Sequence, residues 1–172
     1  VVTSNLLEKT LDADDATYID VIDKRLEKNS VISLRSLEEF AKQVVKETAP
    51  KKRPLEMNVI LLDPEEISAL NERYLSKSGP TDVLAFPIDD PDGETDDSIY
   101  LMGDVCICPE VAARQAKEKG LNFEDDIALL LTDGILHLLG YDHYEESAEV
   151  EMKKMEQILI QRHSKHLRAH DV

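Results

Sequence analysis

Residues 132–146, TDGILHLLGYDHYEE, gather the side chains of this sequence best placed to do chemistry together. Asp133 and His137 stand four positions apart, so on a helix they rise from one face, one turn apart, and can converge on a single atom. Gly140 follows as a helix stop, and the turn it permits brings His143 back toward the same point. Three ligands from a helix and its following loop, with a fourth position left open, form the pattern of a catalytic divalent-metal site. The competing reading is a solvated Asp133 and a His137 packed in the core with its ring nitrogens hydrogen-bonded. Three ligands sharing an apolar neighbourhood favour the metal, because a carboxylate taken out of water without a partner is costly. A zinc peptidase of the H-E-x-x-H kind needs a glutamate directly after its first ligand, and Gly134 stands there instead.

Other polar residues carry weaker signals. Asp82 in TDVLAF and Asp142 beside His143 are suited to orient water or a ligand imidazole, and equally suited to cap a turn or hold a strand end. Arg73, close to Asn71, reads by itself as a surface cation paired with Glu72 or a neighbour. His163, His166 and His170 sit in a polar tail, where a frayed helix end is expected. Cys106 and Cys108 lack the spacing a disulfide prefers and have no second cysteine pair to complete a zinc site, so buried reduced thiols are expected. The acidic DPDGETDD lacks the liganding order of a calcium loop and reads as a solvated turn.

The rest of the chain supplies elements to position these groups. ATYIDVIDKR, LEMNVILLD, TDVLAFPID and SIYLMGDVCICP alternate or run apolar in the manner of strands, the last two joined by a hairpin-like acidic connection. SLRSLEEFAKQVVKET has helical spacing at Leu37, Phe40, Ala41, Val44 and Val45. DPEEISALNERYL opens with an Asp cap and a Pro at the first helical position, PEVAARQAKEKG starts with Pro and stops at Gly, and NFEDDIALLLTDGILHLLG runs from an Asn to Gly140. EESAEVEMKKMEQILIQRHSK is a long last helix. The expected class is α+β: a small mixed sheet of about four strands packed against about five helices. Residues 1–172 are expected to form one domain, with 1–16 and 166–172 as the segments expected to lack order.

The net charge of −16 counts against an extended phosphate-binding surface. The charges are unevenly spread, however. Acids concentrate in DADD, in IDDPDGETDDS and after His143, while APKKRP, Arg73, Lys77, Arg114, Lys117 and Lys119 leave room for a local basic face. The longest apolar run, IALLLTDGILHLLGY, is interrupted by Asp133 and His137 and falls short of the about 20 residues a membrane span needs, so a soluble protein is expected. No basic segment followed by an apolar stretch opens the sequence, and with reduced cysteines this points to the cytoplasm.

The segment DGILHLLGYDH resembles the signature of the YbeY endoribonucleases, or rRNA maturation factors, which runs His-Gly-x-Leu-His-Leu-x-Gly-Tyr-Asp-His; every fixed position but the first agrees. NERYLSKSGPTDVLAFP resembles that family's Asn-x-x-Arg-like segment leading to Thr-Asp-Val-Leu-Ser-Phe-Pro, and MGDVCICPEVAARQA resembles its Gly-Asp-Ile strand and following helix. The resemblance runs in order over about residues 55–160. It implies an α+β metalloprotein with one zinc ion held by three histidines, acting as a single-strand-specific endoribonuclease in rRNA maturation and ribosome quality control. Its substrate would be single-stranded rRNA precursor, and its partners the ribosomal subunit or assembly factors. Onto this chain the resemblance carries His137 and His143 as metal ligands and Arg73 as a phosphate or transition-state contact.

Asp133 departs from the pattern, standing where the family has its first histidine. Two imidazoles and one carboxylate still form a recognised ligand set for zinc and for non-haem iron. The expected site is therefore Asp133, His137 and His143, with weaker zinc binding or another divalent ion as the consequence of a shorter, anionic ligand. Two functions follow: a metal-dependent endoribonuclease, or a non-catalytic RNA-binding assembly factor that keeps the fold with an impaired site.

Overall fold

The computed structural model describes residues 16–50, 53–93 and 99–168. Four strands and six helices follow one another as β1 (Thr17–Asp23), α1 (Leu34–Thr48), β2 (Leu55–Leu61), α2 (Pro64–Leu75), β3 (Val83–Pro87), β4 (Tyr100–Ile107), α3 (Pro109–Lys119), α4 (Phe123–Leu138), α5 (Glu146–His163) and α6 (Lys165–Arg168). The sheet order is β1-β2-β4-β3. β1 and β4 run parallel to β2, and β3 closes one edge antiparallel to β4. This is the α+β arrangement of a four-stranded mixed sheet under helices that the sequence pattern implies, with one short sixth helix added.

Period-two alternation decides which side chains face which layer. In β2, Leu55, Met57, Val59 and Leu61 are all buried and join the main core with Leu37, Phe40, Val44 and Val45 of α1 and Leu131, Ile135 and Leu136 of α4. The opposite face of the sheet carries a smaller cluster in which Leu62, Leu84, Cys106 and Cys108 meet Ile67 of α2 and Val111 of α3. Strand β3 serves both layers: Val83 and Ala85 pack on the main core, Leu84 and Phe86 on the smaller one. Both cysteines are free and buried there; burial above all, then the Asp104 charge, pushes the Cys106 thiol up to about 11, as expected of inert packing thiols.

The helix starts follow local chemistry, with one exchange of roles. Ser33 accepts the N–H of Ser36 at the head of α1, and Asn122 accepts that of Glu124 at the head of α4. Asp63 precedes Pro64 of α2 as expected, yet its side chain makes no cap and instead accepts the Leu26 N–H at 2.7 Å. That bond ties the loop after β1 to the start of α2. The same loop is held by buried Arg25, which forks onto both oxygens of Asp23 at 2.8 and 3.0 Å and donates to the Ser30 carbonyl.

Two glycines set how closely elements approach. Gly103 has φ of +127°, and a side chain there would strike the Phe86 carbonyl oxygen at 2.1 Å, so only glycine lets β3 close on β4 beside the register shift at Glu56/Met57. Gly134 lets α4 settle on β4, since a Cβ at that position would lie 2.5 Å from Val105 Cγ1. Helix α6 runs Lys165–Arg168, so residues 166–168 of the tail expected to lack order are helical. The other segments expected to lack order, 1–15 and 169–172, lie outside the described residues, as do residues 94–98 of the acidic connection.

Candidate metal centre

Helix α4 presents Asp133 and His137 one turn apart on its flank, next to a nearly dry contact face formed by Leu131, Ile135 and Leu136. The helix then ends in a paired hydrogen-bond closure. The Tyr141 N–H reaches the Leu136 carbonyl at 3.1 Å, the Gly140 N–H reaches the His137 carbonyl at 3.1 Å, and Gly140 takes φ of +90°. This reversal returns the chain so that His143 faces the helix it has just left. Asp142 contributes by accepting the Tyr144 N–H at 3.2 Å, and Asp82 accepts the Val83 N–H at 2.8 Å. Of their two expected roles, these bonds are those of a turn cap and a strand-end holder.

The three side chains converge. Asp133 Oδ1 lies 3.4 Å from His143 Nε2 and Asp133 Oδ2 lies 3.6 Å from His137 Nε2. The two imidazoles meet edge to face, with centroids 5.1 Å apart. One donor atom from each residue lies within 4.8 Å of the other two. Two ligands bound tetrahedrally at about 2.0–2.1 Å from one ion are about 3.4 Å apart, so the carboxylate-to-imidazole separations are those of a coordination edge. All three side chains are part-exposed, at 25 to 40 %, which leaves an approach from solvent.

Helix α5 adds a residue that sequence reasoning missed. Glu156 is 7 % exposed and has its carboxyl against that of Asp133. Burial first, and then the Asp133 charge beside it, push the Glu156 carboxyl up to about 7. The signal was present in the sequence: Glu156 shares the spacing of Met152 and Leu159, the two apolar residues of α5 that are buried, so an acid occupies an inward-facing position. On the same helix Glu149 and Lys153 pair closely near the entrance. A groove of about 350 Å³ opens beside the loop, lined by Leu139, Gly140, Tyr141, Asp142, Ala148 and Glu151. Its two carboxylates make it unsuited to a phosphate.

Arg73 is placed elsewhere. It is exposed at the end of α2 with its guanidinium 5.3 Å from the centroid of the Tyr74 ring, and among the described residues it makes no hydrogen bond or ion pair with Asp133, His137 or His143. The surface pair with Glu72 is likewise not formed. Of the tail histidines, His163 bonds Glu47 of α1 at 2.7 Å and stacks on His166, so they dock α5 instead of fraying; His170 lies outside the described residues.

Comparison with known proteins shows what the chain is similar to. The chain is 46 % identical over 119 residues to an Endoribonuclease YbeY of Frankia casuarinae, a match covering 65 % of this chain and 59 % of that protein. It is 46 % identical over 109 residues to an Endoribonuclease YbeY of Thermobifida fusca, covering 61 % of this chain and 70 % of that one. The chain therefore spans about three-fifths of the Frankia relative it matches. The solution structure of TM1509 from Thermotoga maritima superposes with a TM-score of 0.53 at 28 % identity, covering 90 % of this chain and 97 % of that one. The family model described as Endoribonuclease YbeY matches residues 21–164, so the chain belongs to the YbeY endoribonuclease family.

Proposed function

We propose that this protein is a metal-dependent endoribonuclease that cuts single-stranded RNA, acting on rRNA precursors in ribosome maturation and quality control. The observation that carries the reading is the donor spacing: one carboxylate and two imidazoles from a helix and its return loop, each imidazole 3.4–3.6 Å from the carboxylate and one donor atom of each residue within 4.8 Å of the others. The donor set fits one divalent ion, and zinc is the ion we assign to Asp133, His137 and His143. Bound there, zinc supplies Lewis acidity toward a phosphoryl oxygen and acidifies water at neutral pH.

The protein's own residues do the rest. Asp133 and His137 stand on a helix locked against the sheet, so their donor atoms are ordered before an ion arrives. Glu156 backs Asp133 with a carboxyl that burial, and then the Asp133 charge, raise to about 7. Gly134 in place of a glutamate leaves no built-in peptidase base, which favours phosphodiester over peptide chemistry. Arg73 is assigned to the phosphate backbone of the bound strand, with the ribosomal subunit or its assembly factors as the setting. No helix among the described residues is long and apolar enough to cross a membrane; the site of action we assign is the cytoplasm.

Incubating the zinc-loaded protein with single-stranded and duplex RNA of one sequence tests the reading. The single strand is cut internally, the duplex is spared, and chelator or His137→Ala abolishes cutting. Cleavage by an Asp133→His variant alone, with an inert parent, would transfer the assignment to a non-catalytic assembly factor.

A further inference from the structure

We propose that Tyr74, braced by Phe86 and flanked by Arg73, is a stacking platform for an unpaired nucleobase of the bound RNA. The inference rests on the endoribonuclease reading and adds to it where the strand is gripped. Tyr74 sits in the last turn of α2 with 55 % of its surface exposed. Such a ring would ordinarily move freely. Here the Phe86 ring meets it edge-on, centroids 5.2 Å apart and planes at 64°, and the Arg73 guanidinium lies 5.3 Å from its centroid. The ring is thus fixed from its own helix and from the sheet edge while remaining accessible, which lowers the entropy cost of stacking a partner on it.

The neighbouring charge selects the partner. The Arg73 guanidinium makes no ion pair with a carboxylate among the described residues, although the chain carries a net charge of −16. Lys77 follows just beyond the helix and is exposed as well. An exposed, braced ring whose one face carries a guanidinium with no carboxylate partner among the described residues matches one nucleotide, base on the ring's other face and phosphate on the cation. Bases inside a duplex are already stacked on each other, so this contact favours single strands without reading sequence. Phe86 lies on edge strand β3, on the face that carries the smaller cluster, whereas its neighbour Ala85 packs on the main core that includes α4. An RNA strand reaching both the platform and the helix bearing Asp133 and His137 would have to pass around the β3 edge.

The test is binding of a fluorescein-labelled oligouridylate to the full metal-free chain, followed by anisotropy, with tyrosine fluorescence as a second readout. The chain has no tryptophan and only five tyrosines, so quenching of one tyrosine is visible. Tyr74→Leu is expected to weaken binding about tenfold and lose the quench, Tyr74→Phe to bind as the parent does, and duplex RNA to bind parent and variant alike. Equal affinity of Tyr74→Leu and the parent for the oligouridylate overturns the proposal. If that difference holds while the zinc-loaded parent cuts nothing, the platform stands and the cleavage reading falls.

Discussion

Glu156 of α5 sets its carboxyl against that of Asp133 on α4, so the one anionic member of the triad is backed by a second acid. Two carboxyl groups in contact resist sharing negative charge, which adds to burial in holding Glu156 near 7, and a divalent cation between Asp133 and the imidazoles relieves that repulsion. Glu156→Gln keeps the shape of the side chain and removes its charge. Its expected effect is a divalent-cation affinity about tenfold weaker, the scale of other residues that support a metal ligand, read by competition with a chromophoric chelator while circular dichroism stays unchanged. Unaltered affinity would reduce Glu156 to a packing residue of the α4–α5 interface.

Asp133→His tests the ligand that departs from the family signature. An imidazole is longer than a carboxymethyl group and neutral, so the variant presents three histidines and lowers the negative charge beside Glu156. Fewer anionic ligands leave the ion more able to acidify water. The expected result is tighter zinc binding relative to manganese, and an RNA-cleavage rate that reaches half its maximum at lower pH than in the parent. Metal competition and a pH–rate profile check the two halves independently.

The Asp23–Arg25 fork makes a prediction about stability. The Arg25 hydrogen bond, against a smaller opposing effect of burial, lowers the Asp23 carboxyl from its ordinary 3.8 to about 2. A lowered native value means that the stabilisation is complete above pH 3.8 and is lost as pH falls toward 2. The shift corresponds to about 2 kcal/mol, and both side chains are buried enough for that to be felt. Urea unfolding of Asp23→Asn should show lower stability than the parent at pH 7 and a flatter dependence between pH 4 and 2. Parallel curves for the two proteins across that range would remove the pair from the stability of the β1–α1 loop.

How far these features were legible in the sequence depends on whether their cause is local. Strands, helices and the turn at Gly140 follow from side-chain period and from glycine and proline placement, so β2 and α4 were readable residue by residue. Convergence of Asp133, His137 and His143 was readable for the same reason: two of them are one turn apart and the third is returned by a local turn. The Glu156–Asp133 and Tyr74–Phe86 contacts each join two separate elements across a loop, and no local pattern names the partner of either. Arg73 shows the opposite limit, because a role borrowed from a motif says nothing about the ring its guanidinium rests on. Asp63 was recognised as the residue before α2, yet its carboxylate went to the Leu26 N–H, a choice made by the loop after β1.

Gly134 links packing to chemistry, since it is the residue between Asp133 and the helix face that touches β4. A Cβ added there would stand 2.5 Å from Cγ1 and 3.1 Å from Cγ2 of Val105, and the β-branched valine has little freedom to turn away. Gly134→Ala must therefore push α4 outward, at a cost of about 1–3 kcal/mol, even though alanine is intrinsically the better helix former. The same displacement carries Asp133 and His137 with it while His143 stays on its loop, so metal affinity should fall together with melting temperature. Val105→Ala removes the two methyl groups that block the new Cβ. In the double variant Gly134→Ala/Val105→Ala, affinity should recover toward the parent even where stability does not, because the space left by the two methyl groups admits the new Cβ without moving the helix. Calorimetric melting and chelator competition on the parent, both single variants and the double variant separate these effects. Affinity that stays low in the double variant would show that the glycine matters to the ligands through something other than its contact with Val105.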